Sequence, residues 1–131
     1  MRPEDVDLVE KFNIGQRVVG DINLCCANVD GGCDTCSQGG DIARNHCPSR
    51  TTLGIVNKDG VFAQYITLPL RNLHEVPDTV ANEEAVFVEP LAAACRIVEQ
   101  DLVQQGDKVL VLGDGKLGLL ICEVLSRHLG E

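Results

Sequence analysis

A chain of 131 residues that is 44% hydrophobic can bury a core, and one compact domain is the default at this size. Its formal net charge is -9, from 20 acidic against 11 basic residues, with no Lys/Arg cluster to offset it, so a phosphate backbone or an anionic lipid surface is repelled and neither nucleic acid nor a membrane is an expected partner. The N-terminal MRPEDVDLVEK lacks an apolar signal region, and the most apolar stretch, 109–125, is broken by Asp114, Lys116 and Glu123, so neither export nor a membrane span is expected and the implied location is cytoplasmic.

In chain order, positions 6–24 read as a lead-in, a turn at Gly15 and a β-rich run, RVVGDINL. Positions 25–48 turn polar and glycine-rich, with VDGG and QGGD as loop signals and no apolar periodicity. A loop longer than about 12–15 residues inside a compact domain is usually functional, disordered or pinned. Five of the chain's 7 cysteines (Cys25, Cys26, Cys33, Cys36 and Cys47) lie in it, and such crowding in a cytosolic chain points to metal rather than disulfides. Cys95 and Cys122 sit alone in apolar helical patterns and are expected to pack as small buried hydrophobes. The next segment predicts a hairpin: Ile55 and Val56, a turn from Asn57 to Gly60, and a strand from Val61 to Leu68 ended by Pro69.

The character changes at Pro77. Asp78 or Asn82 is the expected cap of a helix with Glu83 and Glu84 in its first turn, and Pro90 is expected to restart it at a first helical position. Gly106 and Asp107 then turn into a strand expected at Lys108–Leu112. Leu117, Leu120, Ile121, Val124 and Leu125 follow helical spacing, closed by Gly130. Between strand and helix, Gly113, Gly115 and Gly118 form G-x-G-x-x-G: a tight turn, room for a pyrophosphate against the backbone, and close helix-to-strand packing. The free N–H groups of the helix N-terminus supply an anion site. Lys116 reads as a solvated lysine.

The order of GQRVVGDI (15–22), GGCDTCSQGG (31–40) with Cys47, LGI (53–55), DGVFAQY (59–65), LHEVPD (73–78), EEAVFVEPLAAA (83–94) and GDKVLVLGDGKLG (106–118) resembles the zinc-dependent medium-chain dehydrogenase/reductase family, the alcohol, sorbitol and threonine dehydrogenases. The resemblance implies a mixed α/β fold. Residues 1–88 would be a β-rich GroES-like catalytic-domain portion carrying the cysteine loop 25–47. Residues 89–131 would be a connecting helix and the first βα unit of a Rossmann domain.

The resemblance implies hydride transfer between a small alcohol or polyol and NAD or NADP, with zinc as metal. The acid that sorts NAD from NADP follows the glycines by about 20 positions, past Glu131. Gly113, Gly115, Leu117 and Gly118 are the implied cofactor contacts. Glu89, before Pro90, matches the family's acidic residue that ligates the catalytic zinc or orients its water; the plainer reading is a carboxylate complementing a helix N-terminus. The family's other catalytic-zinc motifs, a cysteine and a Gly-His-Glu, belong upstream of the match to Gly15 and do not occur in these residues, and His74-Glu75 reads as a surface dipeptide. A truncated chain, inactive and marginally stable by itself, is the resulting expectation.

Relatives hold a structural zinc with four cysteines, of which Cys33, Cys36 and Cys47 are matched here while Asp30 stands at the first position. Asp30, Cys25, Cys26 or His46 would complete the set, or the loop is held without metal by hydrogen bonds and packing. A non-catalytic zinc-binding or interaction module derived from such an enzyme is the alternative. It would form homo-oligomers or pair with a full-length relative through the edge at Lys108–Leu112.

Overall fold

In the computed structural model, which describes residues 11–26, 32–38 and 45–130, chain contacts divide the molecule after Pro77, where the sequence turns from β-rich to helical. The two units, Met1–Pro77 and Asp78–Glu131, are taken in turn.

In the first unit, Gly15 carries a positive φ of 86° in a turn where the Gln16 N–H donates to the Asn13 carbonyl. The chain then enters β1 (Val18–Gly20), whose β-branched valines favour a pleated backbone. β1 pairs antiparallel with β4 (Leu73–Glu75), Val19 facing His74. His74 and Glu75 are both exposed, as expected of a surface dipeptide. A second antiparallel pair joins β2 (Asn23–Leu24) to β3 (Thr51–Thr52), with Leu24 opposite Thr51. Gly20 lets the sheet accept Leu68, whose Cδ1 would lie 2.7 Å from any added Cβ.

Asn72 ties the two pairs together. Its buried side-chain amide donates to the carbonyls of Asp21 (3.2 Å) and Asn23 (2.7 Å), and its own carbonyl accepts from the Asp21 N–H. Asn72→Ala is therefore expected to cost about 1–3 kcal/mol, because two carbonyls lose their donor. A urea midpoint that does not move would contradict this.

The expected hairpin is only partly present. Thr52 and Val56 form a bridge, Gly54 donates to the Lys58 carbonyl, and Asn57 adopts a positive φ of 49°. Positions 61–68 form no strand, and Phe62 and Tyr65 are exposed. The alternating apolar residues give strand propensity there, but no described segment offers them a ladder.

The second unit is helical. α2 (Asn82–Ala85) is capped by neither Asp78 nor Asn82: Ala81 holds the cap position, and the Glu84 carboxylate reaches back to accept its N–H at 2.9 Å. α3 (Val88–Glu99) starts after Phe87, so Pro90 is its third residue, still in the first turn where no intrahelical donor is needed. α4 (Lys116–Leu129) ends at Gly130 with φ of 77°, as its spacing predicted. α3 and α4 pack together around the buried Ala94 and Leu125.

Two expectations fail here. Lys108–Leu112 lies in no ladder, and Leu110 and Leu112 are exposed. Cys95 and Cys122 are exposed rather than buried, because α3 and α4 carry more apolar surface than they cover on one another; Leu91, Leu117 and Leu119 are left open as well. Among the described residues no helix is long and apolar enough to cross a membrane.

Candidate metal centre

The antiparallel β2–β3 ladder decides which cysteines meet. Cys25 and Cys26 leave β2 at the end where β3 enters, and Cys47 precedes β3 through a turn in which the Arg50 N–H donates to the Cys47 carbonyl. Between them lies α1 (Asp34–Ser37), one helical turn within the expected loop. Cys33 is its N-cap in extended backbone, its carbonyl accepting from the Ser37 N–H at 2.9 Å, and Cys36 lies inside the turn. The C-x2-C spacing thereby turns both side chains to the same side.

The sulfurs of Cys26, Cys33, Cys36 and Cys47 all lie within 4.8 Å of one another. Cys26 Sγ is 3.4 Å from Cys47 Sγ and 3.8 Å from Cys36 Sγ. A tetrahedral zinc with four thiolates at about 2.3 Å sets its sulfurs about 3.8 Å apart, so the quartet has the dimensions of a closed zinc site. Cys36 and Cys47 are buried, and Cys26 and Cys33 partly so. Backbone donors already serve these sulfurs: Cys33 N–H to Cys26 Sγ at 3.1 Å and Cys26 N–H to Cys47 Sγ at 3.5 Å. Such outer donors orient and stabilise thiolate ligands.

The thiols are also tuned. The Cys36 backbone N–H, aided by the Cys26 and Cys36 thiols, lowers Cys33 to about 6 against opposing desolvation. The Cys26 backbone N–H likewise lowers Cys47. Cys26 is raised, chiefly by its hydrogen bond with Cys47. In chelator-treated protein at neutral pH, iodoacetamide is expected to modify Cys33 ahead of Cys26, with a rate that falls as the pH drops through about 6. Peptide mapping that finds equal rates would contradict this.

Cys33, Cys36 and Cys47 thus come together as the spacing suggested, and Cys26 is the fourth member. Cys25 is buried against Cys36 and Cys47, but its sulfur stands outside the quartet. His46 is exposed and outside it, and Asp30 lies outside the described residues. The sequence signal that selects Cys26 is its place just past a strand whose partner begins after Cys47. Among the described residues this quartet is the one group of three or more side chains suited to a metal, so Glu89 belongs to none. Glu89 is exposed in the first turn of α3.

In the second unit the glycine turn and the helix after it are present, without the strand expected before them. Gly113 has a φ of 117°, open to glycine, and a Cβ on Gly118 would lie 2.2 Å from the Gly113 carbonyl oxygen. Gly115 caps α4 with nothing within 4 Å of where a Cβ would be. Leu117 is exposed in the first turn.

The profile of the alcohol dehydrogenase GroES-like domain matches residues 3–78, more than half of the chain. The chain belongs to this family. L-threonine 3-dehydrogenase of Idiomarina loihiensis is 37% identical over 126 residues, covering 95% of this chain and 33% of that protein. Sorbitol dehydrogenase of Halalkalibacterium halodurans is 34% identical over 122 residues, 93% of this chain and 34% of the relative. A solved short chain alcohol dehydrogenase (rspB) of Escherichia coli CFT073, complexed with NADH, superposes with a TM-score of 0.75 at 33% identity, over 89% of this chain and 32% of its own. The chain therefore spans about a third of the length of the relatives it matches.

Proposed function

We propose that the chain is a segment of a zinc-dependent, NAD(P)-linked oxidoreductase that moves hydride between a small alcohol or polyol and the nicotinamide. The observation that carries this reading is the likeness over 89% of the chain to an alcohol dehydrogenase solved with NADH. Residues 1–88 are assigned to the GroES-like portion and 89–131 to the connecting helix and first βα unit of the Rossmann domain.

Cys26, Cys33, Cys36 and Cys47 are the residues that would hold a structural zinc, pinning a lobe that has little core of its own. Gly113 makes the turn, Gly118 lets α4 approach it, and the α4 N-terminus beside Gly115 and Leu117 offers its free N–H groups to a pyrophosphate. Glu89 is assigned by resemblance to the neighbourhood of a catalytic metal. The chemistry these groups supply when bound is polarisation of the alcohol oxygen by zinc and acceptance of its hydride by the nicotinamide.

A chimera in which these residues replace the matching third of the Idiomarina L-threonine 3-dehydrogenase is expected to oxidise its alcohol with NAD. A folded, zinc-loaded chimera without turnover would contradict the oxidoreductase reading. The second reading, a zinc-holding interaction module, draws on the exposed, unladdered residues 108–112. It predicts that the 131-residue chain binds zinc and self-associates or captures a full-length relative without turnover.

A further inference from the structure

We propose that the cysteine lobe is also a peroxide-sensitive modification site, in which Cys26 and Cys47 form a reversible disulfide and the lobe exchanges its metal for that bond. Their sulfurs are 3.4 Å apart, closer than the 3.8 Å between Cys26 and Cys36. A disulfide needs about 2.05 Å, so closure takes a movement of about 1.4 Å. Cys26 follows β2 and Cys47 precedes β3 at the same end of their ladder, so the pairing brings the two segments together.

Access singles out Cys26 within the quartet. Cys26 and Cys33 are both partly buried, but of the four only Cys26 lines a cavity of about 630 Å³, which it shares with Cys25, Leu24, Ser49, Thr51 and Leu68. Cys47 is buried and does not line the cavity, but lies in reach of Cys26. In the first step Cys26, once its proton has passed to solvent, attacks one peroxide oxygen through sulfur; the O–O bond breaks, a sulfenic acid forms, and hydroxide leaves to be protonated to water. In the second the Cys47 thiolate attacks the sulfenic sulfur; the S–S bond forms, the S–O bond breaks, and a second hydroxide leaves as water. Two electrons pass from the two sulfurs to one peroxide. With two thiolates gone the remaining pair holds zinc poorly, and the ion leaves into solvent.

The metal-release half of this proposal rests on the zinc reading above; the thiol pairing does not. The test uses the full 131-residue chain loaded with zinc, its metal content measured first, then treated with hydrogen peroxide. Release is followed with a chromogenic chelator, and non-reducing digests are mapped by mass spectrometry. The expected result is a linked Cys26–Cys47 peptide, one zinc freed per two thiols lost, and recovery of both on reduction. Cys25→Ser is expected to leave the linkage intact. A linkage through Cys25, a Cys33–Cys36 bond alone, or sulfinic and sulfonic acids without linkage would overturn the proposal. A chain that carries no zinc before peroxide overturns the metal reading instead, and the peptide map still decides the disulfide.

Discussion

Cys26→Ser is expected to weaken zinc binding by about 100-fold or more, while Cys25→Ser leaves it unchanged. The two thiols are neighbours in sequence and both pack into the lobe, yet only the Cys26 sulfur lies within 4.8 Å of the other three. Loss of a direct ligand should exceed the 10- to 100-fold that outer-shell changes typically cost. Competition against a chelator of known affinity reads both variants. A loss in Cys25→Ser alone would make Cys25 the ligand and displace Cys26, equal losses would contradict the separation of the two thiols, and no loss in either would remove the thiolate site altogether.

Gly118→Ala is expected to destabilise the second unit by about 1–3 kcal/mol, the range of an overpacked core position. In an unconstrained helix the same change gains about 1 kcal/mol. Here the added Cβ would sit 2.2 Å from the Gly113 carbonyl oxygen and 3.1 Å from its carbon, both backbone atoms that no rotamer change can move aside. The turn itself has little room to yield, since Gly113 already has a φ of 117°. The helical circular dichroism transition measures the balance, and a more stable alanine variant would contradict the packing described.

Local signals were legible wherever a residue's own chemistry decides the outcome. Gly130, the valines of β1 and the glycine turn at 113–118 are of this kind, because backbone freedom or branching acts within a few residues. Strand expectations at 61–68 and 108–112 rested on alternation or apolar runs, and these state only which partner a segment wants. Without a ladder among the described residues the same apolar side chains stay exposed, from Phe62 and Tyr65 to Leu110 and Leu112. Cys95 and Cys122 failed as buried residues for the same reason: helical periodicity marks a face, and how much of it is covered depends on what packs there.

The cysteine quartet was legible in three of its four members. Cys33 and Cys36 announce themselves by a C-x2-C step that one helical turn can close, and Cys47 by its place at the end of the same loop. The fourth depends on the register of β2 against β3, where Leu24 faces Thr51. Spacing alone left Cys25, Cys26, His46 and Asp30 equivalent; the ladder separates the first three. The cap at Ala81 was missed for a related reason, since the Glu84 side chain supplies the bond that Asp78 or Asn82 was expected to make.

X-ray absorption at the zinc edge of the 131-residue chain tests the account most directly. One zinc per chain with four sulfur scatterers at about 2.3 Å is the predicted result. A nitrogen or oxygen neighbour at about 2.0–2.1 Å, lost on replacing His46 or Asp30, or a chain that retains no zinc at all, would contradict it.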